Sequence, residues 1–547
     1  MAIASAPELA AAQQQRPVDQ RLELPDFRPE TGVRGSVLPP LRDPAAEGLA
    51  GGARVFLQGY TITGSTVLAD EELGRIAAPY SGRFVSFEDI AALRDRLSEE
   101  YTRRGYLTSR ALLESQTIQD GRVEIRIVEG TLGSVEIETD GLLRQGYLSR
   151  ALPTPASGPV NVVALEQRLQ ILRKDPRIRS LEAVLEPGPR RGESTLRLRV
   201  SEAPAFAAAV EVDNGVSPSI GSDLARVRAE HTNLSGWGDS LQLSYGRTHG
   251  LDELSASYVL PFSSRGAQLE TELRSSRSEV VEEPFRSLDI ESRSATYGIG
   301  LRQPIDFSPA TRLDLTLRAE YRRSKSFLLG QGFSFTDGVE EGVSKVAVLR
   351  FGQELTRASQ RQAFAARSTF SFGVDALGAS RNHDRSIPDS RFRAWLGQVQ
   401  WARRLERLDA QLIARGDVQL SHEPLLGLEQ FALGGLGSVR GYRQNQLVRD
   451  NGALGSLELR IPIFQRSEGR TRIELAPFFD VGTGFNRRRD TRDRQTLASS
   501  GVGLRMRLAG RFLLEAYWAG DLRNLDDPGG EDDIQDHGLH FRVSSGF

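Results

Sequence analysis

Leu269-Glu270-Thr271-Glu272-Leu273-Arg274 decides how this chain folds. Successive side chains of a β-strand point to opposite faces, so this stretch has one apolar face and one charged face. The same period of two recurs throughout residues 205–547. Ala225, Val227 and Ala229 alternate with Arg226 and Arg228; Leu241, Leu243 and Tyr245 share a parity, as do Leu313, Leu315 and Leu317. Further along come Ala347, Leu349 and Phe351; Trp395, Gly397, Val399 and Trp401; and Leu408, Ala410, Leu412 and Ala414. The pattern closes with Leu457, Leu459 and Ile461; Val502, Leu504, Met506 and Leu508; and Phe512, Leu514, Ala516 and Trp518. The opposite parity carries Arg, Glu, Asp, Gln and Ser. In a soluble sandwich the apolar parity faces a core. In a membrane barrel it faces lipid, and the polar parity faces a wet lumen.

Connection lengths separate these two cases. The alternation gives about sixteen strands, the number of a mid-sized outer-membrane barrel. Joints near 234–237, 261–266, 355–361, 404–407, 463–470 and 508–511 are short. Those near 277–288, 326–343, 374–391, 418–451, 484–495 and 521–536 are mostly longer and polar. Short and long joints alternate, as in an up-and-down barrel with tight turns at one end and long loops at the other. A sandwich has no reason to segregate loop length in this way.

Upstream, the period changes. Residues 53–130 read as a compact αβ unit: a strand over Arg54–Ile62, a helix over Leu68–Ala77, a helix from N-cap Ser86 to about Arg103, then strands near 108–117 and 122–129. Residues 131–203 repeat the plan, with a strand over Gly133–Ile137, a helix over 142–151 and a second helix from Asn161 to Lys174 with Val163, Leu165, Leu169 and Leu172 apolar. Strands near 179–186 and 194–201 end it. The repeat, about 75 residues long and ordered β-α-α-β-β, marks two copies of one module. Residues 21–52 hold Pro25, Pro29, Pro39, Pro40 and Pro44 and read as a linker. Residues 1–20 are rich in Ala and Gln and predict a short helix bounded by Pro17.

Composition narrows the function. With 547 residues the chain holds several folding units. Its 70 basic and 72 acidic residues nearly cancel, against a nucleic-acid binder. Cysteine is absent, so thiolate chemistry and disulfides are excluded. None of the six histidines, His231, His249, His383, His422, His537 and His540, stands in a metal-binding spacing. There is no G-x-S-x-G and no phosphate loop. The expectation is a protein without enzyme activity, cofactor or metal. No stretch of about 18 apolar residues occurs, so no transmembrane helix is expected. No intact signal peptide opens the chain; Met1 to Ala6 read as the trimmed remnant of one or as an added start.

Two motifs stand out. Gly434-Gly435-Leu436-Gly437-Ser438-Val439-Arg440-Gly441-Tyr442 lies in the longest outer connection, where glycines allow tight turns. Phe478-Phe479-Asp480-Val481-Gly482 follows two strands later. Asp480 shares parity with Arg472 and Glu474, while Ile473, Leu475 and Phe479 share the other, so Asp480 should point into the lumen. A carboxylate there suits a guanidinium folded in from the loop, a pairing that can be bidentate. The chain closes on Leu539, Phe541, Val543 and Phe547 on one face, and an aromatic end suits the interfacial belt of a closing strand.

Val439-Arg440-Gly441-Tyr442 in a long late loop, with Phe-x-Asp-x-Gly from Phe478 to Gly482, resembles the BamA-type superfamily. The two repeated modules look like its POTRA domains. Two modules and a barrel are similar to the TpsB transporters of two-partner secretion, the haemolysin and haemagglutinin secretion family. The resemblance implies a fold of α+β periplasmic modules (two POTRA, β-α-α-β-β) and a 16-stranded antiparallel transmembrane β-barrel. By it residues 1–20 form a plug helix, 21–52 a linker, 53–130 and 131–203 the POTRA domains and 205–547 the barrel. It implies an outer-membrane pore that exports a large exoprotein bearing an N-terminal secretion domain. Arg440 and Asp480 would be a loop-to-barrel lock, with Val439, Gly441, Tyr442, Phe478 and Gly482 around it. Phe541 and Phe547 would be read by the outer-membrane assembly machinery, and membrane lipid would surround the barrel. The alternative is a BamA-like assembly factor.

Overall fold

The computed structural model describes residues 54–547 apart from 151, 264, 309, 385, 467–469, 488–493 and 524–530. The expected plug helix over 1–20 and linker over 21–52 lie outside the described residues. Among those described, 54–204 with 235–238 form one compact unit, and 205–234 with 239–547 form another.

In the first unit, the expected strand over Arg54–Ile62 is two strands in different sheets. β1 (Arg54–Leu57) pairs antiparallel with β3 (Arg83–Ser86), a strand the sequence reading did not include. β2 (Gly59–Thr63) lies in a second sheet. The break falls at Gln58, whose N–H donates to the Gly121 carbonyl at 2.7 Å. Helix α1 (Asp70–Ala77) starts later than Leu68, because the Ser65 hydroxyl bonds both the N–H and the carbonyl of Leu68 and holds a turn ahead of it. Helix α2 (Phe87–Arg103) starts where expected, on a capping box: Ser86 Oγ accepts from Asp89 N, and Asp89 accepts from Ser86 N. Strand β4 (Arg110–Leu112) runs antiparallel to β5 (Arg122–Val128), and β2 runs parallel to it.

The second module repeats the order from β2 onward, without a counterpart of the β1–β3 pair among the described residues. It comprises β6 (Thr131–Thr139), α3 (Gln145–Ser149), α4 (Val162–Arg173), β7 (Ile178–Pro187) and β8 (Glu193–Glu202). Again the first strand lies parallel to the last, and the middle one antiparallel to it. Helix α3 is shorter than expected, ending in a tight turn in which Leu152 N donates to Ser149 O. On α4 the buried residue is Val162, and Val163 is exposed, a one-residue phase error in the sequence reading. Leu165, Leu169 and Leu172 pack as expected with Leu196, Leu198 and Val200.

The second unit is a closed antiparallel barrel of sixteen principal strands. They begin with β9 (Phe206–Asp213), β10 (Leu224–His231), β11 (Ser240–Arg247), β12 (Leu251–Pro261), β13 (Gln268–Glu279), β14 (Glu291–Phe307) and β15 (Thr311–Leu328). After the two-residue annex β16 (Gln331–Gly332) come β17 (Val343–Ala358), β18 (Gln362–Val374), β19 (Arg393–Leu405) and β20 (Ala410–Ser421). The next connection carries a small hairpin, β21 (Phe431–Leu433) with β22 (Leu447–Arg449). The wall resumes with β23 (Asn451–Arg466), β24 (Thr471–Phe485), β25 (Gln495–Leu508), β26 (Phe512–Asp521) and β27 (Leu539–Gly546). Strand β27 then pairs with β9, from Arg542 opposite Asp213 to Gly546 opposite Ala209, and closes the cylinder. Beyond it, Phe547 N and O both bond the backbone of Ala208. Pro304 and Pro462, which cannot donate to a ladder, sit at the bulges of β14 and β23.

The joints sort by end as expected. One end has 232–239, 262–267, 308–310, 359–361, 406–409, 467–470 and 509–511; the other has the long ones, with 248–250 as a short exception. Leu408 is not in a strand: it closes a 3-10 turn, and β20 begins at Ala410.

Side chains settle which face is which. On β14, Tyr297, Ile299 and Leu301 are about half exposed and point outward. Gly298, Gly300 and Arg302 face in. Arg318 of β15 lies across the two glycines, its guanidinium paired with Glu272 and Glu320. A cylinder greasy outside and charged inside is the reverse of a soluble protein and fits a bilayer. No helix among the described residues is long and apolar enough to cross a membrane, and here the strands do so.

Candidate functional site

The long connection 422–450 does not project from the barrel; it lies inside it. Leu425, Leu426 and Leu428 are buried with Val346 and Val348 of β17. Past the β21–β22 hairpin start, Ser438 Oγ bonds both the N–H and the carbonyl of Gly434 and pins a tight tip. At Gly441 φ is +89°, and an added Cβ would lie 2.9 Å from Ala519 Cβ. Only glycine suits both the left-handed turn and the close approach to the wall.

This tip presents Arg440 to the wall. Its Nε and Nη2 donate to the two oxygens of Asp480 at 2.8 and 2.9 Å, and its backbone N–H adds a third bond at 3.2 Å. Nη1 donates to Glu458 on β23 at 2.5 Å, and Ser456 Oγ donates to Asp480 at 2.6 Å. The guanidinium carbon sits 3.5 Å from the Phe478 ring centre and 4.8 Å from that of Tyr517. Those two rings meet edge to face. Asp480 is 0 % exposed and Arg440 6 %. Removing one member of such a buried, fully bonded pair costs about 3–5 kcal/mol, because the other charge stays buried. The stacked rings add up to about 2 kcal/mol for a desolvated cation.

The other motif residues fall around this contact. Val439 is fully buried, and Tyr442 OH lies between the carbonyls of Ala498 and Arg523 at 2.9 and 2.8 Å. A Cβ on Gly482 would meet Leu433 Cδ2 at 2.8 Å and Val439 Cγ2 at 2.9 Å, so this glycine is a notch into which the loop fits. Phe541 faces outward on β27, and Phe547 is exposed past its end; neither approaches the loop.

The sequence reading missed four partners: Ser456, Glu458, Tyr517 and His540, whose Nε2 accepts from Gly441 N at 3.0 Å. All stand at inward parity, so alternation alone would place them in the lumen. Which of them meets the loop depends on strand neighbours far apart in the chain, which alternation does not report. Among the described residues no group of three or more His, Cys, Asp or Glu is placed to hold a metal ion. Beside the loop the lumen keeps a cavity of about 860 Å3, lined by Arg226, Glu253, Glu270 and Arg302 on the wall and by Leu436 and Gly437 of the loop.

Comparison with known proteins gives the same picture. Residues 192–506 match the family of haemolysin secretion/activation protein ShlB/FhaC/HecB, and residues 55–130 match the POTRA domain, ShlB-type. The heme/hemopexin transporter protein HuxB of Haemophilus influenzae is 23% identical, over 83% of this chain and 81% of its own. The outer membrane transporter CdiB of Escherichia coli is 24% identical, over 74% of this chain and 68% of its own. The solved structure of CdiB from Escherichia coli superposes with a TM-score of 0.71 at 21% identity, covering 98% of this chain and 95% of that one. BamA from Haemophilus ducreyi shares the fold more distantly, with a TM-score of 0.55 at 14% identity, over 90% of this chain and 100% of that chain.

Proposed function

This chain belongs to the haemolysin secretion/activation protein family ShlB/FhaC/HecB, and from that premise we propose that the Arg440–Asp480 pair is the lock that seats the 422–450 loop in an export pore. The protein is an outer-membrane transporter of two-partner secretion, with POTRA-like domains in the periplasm, and it secretes a partner exoprotein. BamA is a distant structural relative, and no feature of the site favours barrel assembly over export.

The observation that carries the lock is a fully buried wall carboxylate gripped by a loop arginine. The pair gives the loop one set position in the bore, from which it shifts as a polypeptide passes; a loop without that seat lets ions through but no longer guides the chain, so export fails. The charged lining suits a hydrated chain, since an apolar bore would hold it too tightly. Residues 53–130 and 131–203 are the two POTRA domains in this reading. Their three-stranded sheets leave edge strands β2, β4, β6 and β7, onto which an extended segment of the exoprotein's N-terminal secretion domain can add as a strand. Residues 1–20 serve as a second plug, a role supported by their helical composition, and 21–52 as the tether that lets it leave. Lipid covers the outward apolar band. Phe541 and Phe547 carry the signal for the assembly machinery, a role supported by the place of Phe541 on the closing strand and of Phe547 just past its end.

The test is Arg440→Ala in cells that make the exoprotein. Secretion should fall at least tenfold while the barrel remains folded, as judged by heat-modifiable migration on gels. Undiminished secretion from a folded barrel refutes the lock.

A further inference from the structure

We infer that Glu429 is a second ionic anchor of the same loop, set on a different part of the wall, and that the loop is seated only when both anchors hold. The inference rests on the proposed gating role of the loop and extends it to residues outside the Arg440 motif.

Glu429 ends the 3-10 turn Gly427–Glu429 and is 0 % exposed. Arg350 of β17 donates through Nη2 to both of its oxygens, at 2.8 and 2.9 Å. Arg322 of β15 donates through Nη1 to Glu429 at 3.2 Å and to the Leu428 carbonyl at 2.8 Å. Glu320 completes the set, accepting from Arg350 Nε at 3.1 Å, while Arg350 Nη1 reaches Ser371 Oγ at 2.6 Å. The backbone is held as well, since Gln419 Nε2 donates to the Glu429 carbonyl at 3.0 Å.

Charge balance shows why the loop residue matters. Within this cluster Arg322 and Arg350 face Glu320 and Glu429, all buried, and Glu320 is already shared with Arg318. Three of the four stand on the wall; only Glu429 comes from the loop. When the loop leaves, Arg322 and Arg350 lose the Glu429 carboxylate and keep only Glu320, which Arg318 shares, so lumen water must replace the lost bonds. The seated loop therefore supplies a carboxylate that the wall's arginines otherwise lack. Arg350 and Asp480 stand on β17 and β24, with β18, β19, β20 and β23 between them in the wall. Two grips that far apart fix the loop's orientation, which one cannot do. Since Arg440 and Glu429 carry opposite charges, each grip also rejects the other's partner, which sets the loop's direction.

The experiment compares Glu429→Gln, Arg440→Ala and the double variant, each in full-length protein reconstituted in planar bilayers. Open-channel events per unit time are counted, with heat-modifiability as the folding control. Glu429→Gln and Arg440→Ala should each raise opening at least tenfold, and the double variant should open little more than either single one. A folded Glu429→Gln that opens no more than the unaltered protein, beside an Arg440→Ala that opens freely, overturns the second anchor and leaves the first. An Arg440→Ala that also stays shut overturns the gating reading itself. Should Glu429→Gln fail to fold, the exchanged pair Glu429→Arg with Arg350→Glu decides: a restored folded, closed barrel supports the pairing, and an unrestored one ends it.

Discussion

Strand β5 of the first module and strand β14 of the barrel share a pattern and bury opposite halves of it. In β5, Val123, Ile125 and Ile127 are 2 %, 0 % and 3 % exposed, while the charged residues between them face water. In β14, Tyr297, Ile299 and Leu301 are the exposed ones, and the polar parity is enclosed. A period of two therefore says that a strand has two faces; it does not say which solvent each will meet. That depends on the rest of the sheet. The module's helices cover its apolar face, whereas among the described residues no helix covers the barrel's, and the bilayer takes their place.

The widest gap between the two regions should appear on cutting a core side chain. Leu97 of α2 is 0 % exposed among Leu93, Tyr101 and Ile125. Leu97→Ala should destabilise the first module by about 2–5 kcal/mol. Proteolysis in rising urea would then cut the module early in a full-length protein whose barrel still migrates as a folded species. If both regions failed together, the division into two independent units would be wrong.

On the lipid side the penalty has a different origin. Ile299→Arg should cost about 2–4 kcal/mol near the membrane midplane, read from the urea midpoint of barrel folding into vesicles. Gln242→Arg on the lumenal face of the same cylinder should change that midpoint little. Equal losses would erase the assignment of faces. A smaller effect belongs to the notch under the loop. Gly482→Ala should cost about 1–3 kcal/mol through overpacking against Leu433 and Val439. Its visible sign should be faster protease cutting after the loop arginines, with the barrel intact.

The least of these effects is titrated. In the first module Glu129 is desolvated, which raises its pKa, but hydrogen bonds from the Thr66 hydroxyl, Tyr101 OH and the N–H groups of Thr66 and Val67 outweigh that and hold it below its ordinary 4.5. A carboxylate depressed on folding adds stability that is whole above 4.5 and drains away as pH falls through the lower, folded value. Glu129→Gln should remove about 1 kcal/mol at neutral pH and less in acid. A loss that grew as pH fell would contradict the assignment.

Much of this architecture was legible because both regions rest on local periodicity. The N-cap at Ser86 and the alternation on either side of Asp480 each lie within a few residues of chain, and both were read correctly. Errors fell where a distant group intervenes. Gln58 breaks one strand into two because Gly121, far along the chain, takes its N–H. Val163 was placed in a core that Val162 fills, since a helix face read without its partner is uncertain by one residue. At the site, Arg440 and Asp480 advertised themselves through motifs. Glu429, Arg350 and Tyr517 carry none; only the tertiary fold brings the first two together and sets Tyr517 beside Arg440.

Arg318, lying flat across Gly298 and Gly300, sets a rule for how this protein's lineage can drift. The bore there is kept clear by a shortage of atoms on one strand and a surplus on the next. A methyl group gained at Gly298 would lie 2.7 Å from Arg318 Nη2, so the guanidinium must then swing toward the axis and narrow the passage. Such a change is tolerable only alongside a shorter residue at position 318, so across descendants these sites should mutate in concert.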